Sequence, residues 1–220
     1  MKGLIYRYRL IIPVVLFFMI NLTGCQTVYY KTMEKIGVHK RDIMVDRVNE
    51  ARDSQEEAKE QFASALEQFS SVLNFKGGTL EDKYKKLNSE YEKSEKKAKD
   101  VKGRIESVES VSEALFEEWE EELDQYSIDS LRRSSEQKLQ QTKKQYVQLI
   151  NAMKRVEKKI DPVLSAFRDQ VLFLKHNLNA QAIASLKSEL ASVESDVASL
   201  IKEMETSIAE ADKFIKTMPH

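Results

Sequence analysis

One cysteine, three prolines and six glycines are all that 220 residues contain of the types that staple, break or turn a chain. A lone cysteine excludes an intramolecular disulfide framework. Past residue 24 the only prolines are Pro162 and Pro219, and the turn punctuation that a sheet of short strands needs is missing. Basic excess is also lacking. Lysine and arginine number 35 against 36 acidic residues, which disfavours nucleic acid, since that partner requires a basic footprint. Long apolar runs are equally scarce: the single one, Leu10 to Leu22, has about 13 residues against the roughly 20 of a spanning helix. His39, His176 and His220 stand too far apart for a local metal motif such as two histidines one turn apart.

What is present begins with that apolar run. Lys2, Arg7 and Arg9 precede it, Pro13 interrupts it, and "LTGC" (Leu22, Thr23, Gly24, Cys25) closes it. A basic start, a short apolar core and small residues next read as an export signal. The pattern resembles the lipobox of bacterial lipoproteins. That resemblance implies cleavage between Gly24 and Cys25, with the cysteine thiol diacylglycerylated and its new amine acylated. Several acyl chains hold strongly, because each buried methylene contributes about 0.8 kcal/mol. Gln26, where aspartate favours inner-membrane retention in lipoprotein sorting, implies the outer membrane facing the periplasm, with the inner membrane as the alternative. Tyr29 and Tyr30 either sit at headgroup level or start the first helix. Removing Lys2, Arg7 and Arg9 from the 35 basic residues leaves 32 against 36 acidic ones, a net charge near −4.

The rest is helical text. From Leu80 the series Tyr84, Leu87, Tyr91, Ser94, Ala98, Val101, Ile105, Val108, Ser112, Leu115, Trp119 alternates steps of four and three. A second runs from Leu139 through Thr142, Tyr146, Leu149, Met153, Val156, Ile160, Val163, Phe167, Val171 and Leu174 to Leu178. A third, from Ile183, ends Met204, Ile208, Ala211, Ile215, Met218. The earliest runs Val48, Ala51, Gln55, Ala58, Phe62, Ala65, Phe69, Val72. A sustained seven-residue repeat keeps one stripe of each helix facing its neighbours. The spacing predicts an all-α fold: an elongated antiparallel helical bundle or coiled coil of about four long helices.

Boundaries lie between the series. Gly77 and Gly78 suit a left-handed exit, Thr79 with Asp82 three residues on suits an entry cap, and Ser127, Asp129 and Ser130 are good caps. Asn177 offers an exit and Asn179 an entry. Helices are predicted at about 28–75, 79–126, 130–178 and 180–217, with a break at Gly37 and a kink at Pro162. Three segments follow: 1–24 as the cleaved signal, 25–37 as the lipidated start and short tether, and 38–220 as the helical coiled-coil domain. Four helices side by side, two hairpins end to end, or hairpins opened apart all satisfy the pattern.

Charges at Glu81 and Lys85, Asp82 and Lys86, Glu92 and Lys96, and Glu95 and Lys99 are placed for one-turn pairs. "EEWEEELDQYSIDSLRR" crowds Glu117, Glu118, Glu120, Glu121 and Glu122 at a helix end, with Arg132 and Arg133 opening the next helix. Both placements oppose the helix dipole, so pairing of these groups across the hairpin is the expectation. A cation site there lacks any calcium loop with its turn glycine.

Carboxylates are spread over every helix, so none marks an acid/base couple; no phosphate-cradling glycine loop or nucleophile elbow is present. No catalytic residue, metal ligand, cofactor or small-molecule substrate is inferred. In "AFRDQVLFLKHNLNAQAIASL", Val171, Leu172, Phe173 and Leu174 are consecutive and wrap every side of a helix. Either that end is wholly interior or it forms a distal patch for a protein partner or a second copy. Phe116 and Trp119 raise the same question at the other end.

"GVHKRDIMVDRVNEARDSQEEAKEQF", "FKGGTLEDKYKKLNSEYEKSE", "SLRRSSEQKL" and "FRDQVLFLKHNLNAQAIASL" resemble an uncharacterised family of Gram-negative lipoproteins known only by a domain of unknown function. The resemblance implies an envelope lipoprotein with a helical body and brings no activity and no site. Two functions fit. The first is a structural or adaptor protein attached to membrane lipid through Cys25, with a protein partner or self-association. The second is a holdase-like chaperone or stress factor gripping clients between splayed hairpins.

Overall fold

Thr79 shows how the sequence starts a helix: its Oγ1 accepts from the Asp82 backbone N–H at 3.1 Å and donates to the Asp82 carboxylate at 2.7 Å. The computed structural model describes residues 39–74, 77, 79–177 and 179–218. Within them lie α1 (Lys40–Asn74), α2 (Leu80–Leu123), α3 (Asp129–His176) and α4 (Ala180–Thr217), and no strand. With 35, 44, 48 and 38 residues, each helix is about 50–70 Å long. Asn179 caps α4, its Oδ1 accepting from Ala182 N–H at 2.9 Å, and Asn177 ends α3. The entry to α3 departs from expectation. Its cap position is Ile128, which supplies no side-chain bond, so neither Ser127, Asp129 nor Ser130 serves as cap. The expected break at Gly37, the Leu178 end of its series, Gly78 of the expected helix exit and everything before His39, including Gly24 and Cys25, lie outside the described residues.

Short connections make the helices run up, down, up, down. Each packs on its chain neighbours, and α4 returns to pack on α1, closing a four-membered ring. That settles the arrangement: four helices side by side, not hairpins end to end or splayed. The main core runs from Ile43 near one end to Leu174 near the other. Toward the end where α1 finishes, large rings cross the diagonal between α1 and α3. The Phe69 and Phe167 rings stack with centroids 4.7 Å apart, and Phe62 lies 6.2 Å from Phe167. Fully burying each such ring contributes about 1.5–3 kcal/mol.

Every position of the earliest series, Val48 to Val72, is buried, as is every position from Leu87 to Trp119 in the series that starts at Leu80 except half-buried Tyr91. The fourth helix corrects its series. After Met204 the core positions are Ser207, Ala211, Phe214 and Met218, while Ile208 and Ile215 are only half-buried. Two successive steps of four, from Leu200 to Met204 to Ile208, would have rotated the stripe away from its neighbours. The three-step to Ser207 keeps it in place even though serine is polar. α3 runs unbroken through Pro162, which is exposed, so its missing N–H and ring face solvent and not the core.

Ion pairs between neighbouring helices accompany the antiparallel stagger. Arg104–Glu50 (2.7 Å) joins α2 to α1, Lys154–Glu109 (2.7 Å) and Lys102–Asp161 (2.6 Å) join α2 to α3, Arg155–Glu203 (2.9 Å) joins α3 to α4, and Arg52–Asp212 (3.1 Å) closes the ring. Exposed pairs contribute little singly, but each disfavours a shifted register. Of the one-turn pairs, Glu81–Lys85 forms at 2.8 Å. Asp82 instead serves the cap, Glu92 accepts from Asn88 and Glu95 from the Tyr91 hydroxyl.

Candidate functional site

Phe116 and Trp119 are interior. With Leu139 they form a small second core at the end where α1 begins. Trp119 Nε1 donates to Ser135 Oγ at 2.8 Å, and the Arg41 guanidinium lies 5.3 Å from the Trp119 ring. The Phe116 and Tyr146 rings meet edge-on at 5.4 Å, with Lys143 5.5 Å from Phe116. Burial raises the pKa of the Tyr146 phenol, which a hydrogen bond to the Ser112 side chain partly opposes. Lys40, itself buried, ties α1 to α2 through Glu118 at 2.8 Å. An open cleft of about 800 Å³ lies beside these residues. Its lining mixes His39, Arg41 and Lys138 with Asp42, Glu118 and Glu122, so it selects no charge. Tyr126, Ile128 and Leu131, at the turn between α2 and α3, are exposed.

The glutamate-rich end of α2 is paired, but not with the expected partners. Glu120 meets Lys143 at 2.6 Å and Glu118 meets Lys40. Among the described residues Arg132 and Arg133 form no ion pair. The stagger that brings Lys154 to Glu109 and Lys143 to Glu120 gives these carboxylates lysines further along α3 as partners.

At the opposite end the apolar run divides. Val171 and Leu174 point into the core, whereas Leu172 and Phe173 are 43% and 40% exposed. The consecutive run is therefore neither wholly interior nor wholly a patch. Phe173 borders a groove of about 620 Å³ between α3 and α4. Ala166, Leu186 and Val193 give it an apolar floor, Ser185, Ser188 and Ser192 a hydroxyl-bearing wall, and Asp169, Glu189 and Asp196 an acidic rim. No basic residue lines it. Gln170 also lines it, only 5% exposed, with neither Nε2 nor Oε1 hydrogen-bonded. Sequence reasoning missed Gln170. The available signal was its position three residues after Phe167, on the core side of a helix, where an amide must find a partner or remain unsatisfied.

Among the described residues no cluster of three or more His, Cys, Asp or Glu could hold a metal ion. His39 and His176 are exposed at opposite ends of the bundle. No helix among the described residues is long and apolar enough to cross a membrane. A family model described as "Protein of unknown function (DUF2959)" matches residues 29–218. No curated protein matches the chain.

Proposed function

The chain belongs to the DUF2959 family of proteins of unknown function, and on that premise we propose that it is a non-catalytic, lipid-tethered bundle that spaces or docks a protein partner. Cys25 carries the acyl chains, and the outer membrane, seen from the periplasm, is the location that Gln26 favours. The single observation that carries the adaptor reading is the closed ring of four helices with its interhelical faces filled, from Ile43 to Leu174. A holdase working between splayed hairpins needs that apolar surface open to clients, and here Phe62, Phe69 and Phe167 fill it with one another. A rigid rod with exposed Leu172 and Phe173 at the end away from the start of α1 suits an element that presents a contact at a set distance from its attachment.

The test has two readouts. Mass spectrometry of the amino-terminal fragment of the protein purified from its own cells should show an acylated Cys25 as the first residue. An unmodified Cys25, or cleavage elsewhere, overturns the tether. A photoreactive residue at Phe173 in intact cells should capture one discrete partner; a broad spread of unfolded clients would instead support the holdase.

A further inference from the structure

We infer that the turn between α2 and α3 is a membrane-contacting tip, which seats Tyr126, Ile128 and Leu131 in the headgroup layer of a zwitterionic, ethanolamine-bearing phospholipid surface. This contact deepens the tether reading by naming what the near end of the rod touches, and it rests on that reading for the lipid at that end. A chain fully extended from Cys25 to Lys40 spans about 50 Å, less than the length of α3 at about 70 Å. Lipid held at Cys25 therefore lies nearest the end where α1 begins. The turn is at that end: Lys40 bonds Glu118 at 2.8 Å, and Tyr126 and Leu131 line one cleft with His39 and Asp42. It also stands forward of the end of α4. That helix finishes at Thr217, whose Oγ1 donates to Gln145 Oε1 at 2.9 Å, so α3 reaches past it from Gln145 to Asp129, about 24 Å.

The chemistry of the turn fits a lipid surface. Three of the six large apolar side chains that stand exposed among the described residues fall within it: Tyr126, Ile128 and Leu131, at 42%, 55% and 53%. A phenol beside aliphatic side chains suits the boundary between headgroups and acyl chains. The local sequence also gives up helix stability. Ile128 holds the cap position of α3 with no side-chain bond, and isoleucine is among the poorest caps. Arg132 and Arg133 oppose the dipole at the start of α3 and form no ion pair among the described residues. Local choices that oppose the fold mark places where a sequence serves something else, and headgroup phosphates give both arginines their partners. Carboxylates share the tip: Glu121, Glu122, Asp124 and Asp129 stand in the same stretch as those two arginines. The acidic excess disfavours an anionic surface, whereas the mixture matches a headgroup that carries phosphate and ammonium together.

The experiment places a diazirine side chain at position 128, or at 173 on the opposite end, in the full-length chain in its own cells, with mass spectrometry after irradiation. The peptide spanning 126–131 should carry phosphatidylethanolamine adducts and the peptide around 173 none. With the probe moved to 126, Ile128→Ser with Leu131→Ser should lower the yield about tenfold, because two half-exposed aliphatic side chains no longer enter the layer. Arg132→Glu with Arg133→Glu should lower it too, with no loss of melting temperature. No lipid at 128, equal adducts at 128 and 173, or phosphatidylglycerol captured above its share of the membrane overturns the inference. So does crosslinking of 128 to a second copy or to residues 26–38, either of which would cover the turn. The amino-terminal fragment of the same sample separates the two readings. Acylated Cys25 without lipid at 128 refutes the tip and leaves the tether standing; lipid at 128 with unmodified Cys25 does the reverse.

Discussion

Replacing Gln55 by methionine should make the bundle more stable. Gln55 occupies a heptad core position of α1, is 0% exposed, and has neither amide atom hydrogen-bonded. Ser207 on α4, also fully buried, has an unpartnered hydroxyl. The two lie at one level of the bundle: Arg52 pairs with Asp212 on one side of it, and Lys59 is attracted to Glu205 on the other. Burying an amide without compensating bonds costs about 1–3 kcal/mol in proteins. Methionine is close in volume, flexible enough to fill an irregular gap, and has no donor to leave unsatisfied. A gain of about 2 kcal/mol is the expectation. For a chain of this size that raises Tm by about 4–8 °C. Circular dichroism melts and urea titrations of both proteins measure it, with sedimentation to verify an unchanged oligomeric state. Ser207→Ala should show coupling with Gln55→Met in a double-mutant cycle if one enclosed water serves both polar groups. A lower Tm for Gln55→Met would refute the reasoning, because it would mean that the amide contributes bonds that favour the folded chain.

Phe167→Ala removes the ring that stacks on Phe62 and Phe69 and should cost about 3–5 kcal/mol, read as a lower urea midpoint. Burial alone would raise the pKa of Glu90, but its hydrogen bonds from Lys93 (2.7 Å) and Gln61 (3.1 Å) outweigh that and hold the carboxyl below its ordinary value of 4.5. Its contribution to stability is therefore complete above that value and is lost as the pH falls through the lower folded-state pKa. Glu90→Gln should lower stability at neutral pH and reduce the acid-side drop in a pH series of urea midpoints; an identical pH profile would count against the pairing. Arg132→Glu with Arg133→Glu should leave stability unchanged or raise it by about 1 kcal/mol, since neither arginine is ion-paired among the described residues and acidic groups suit a helix start. A Tm loss of many degrees would restore the cross-hairpin pairing that the charge pattern suggests.

Much of the fold was legible because helix periodicity is a local property. Residues three and four apart share a face whatever else the chain does, so the stripes from Val48 to Val72 and from Leu87 to Trp119 are read directly as core. Thr79 and Asn179 were legible as caps for the same reason, each bond closing within three residues. Ser207 was not legible. Apolarity pointed to Ile208, and only the positions of the neighbouring helices make the residue one place earlier face inward. The partners of the glutamates at the end of α2 were likewise hidden, because the stagger between helices decides which charges meet, and Glu120 meets Lys143, about three turns further along α3 than Arg132.

By itself, the sequence determined that this chain is helical, where its helices turn, and which stripe of each is apolar, since these follow from backbone geometry and side-chain spacing within a few residues. Tertiary structure alone decided that the two hairpins close side by side into one ring and that Gln55 and Gln170 are enclosed without partners. It also decided that Phe173 faces outward beside an acid-rimmed groove. Those outcomes depend on the rotation and stagger of long helices against one another, which is fixed by the packing of residues distant in the chain.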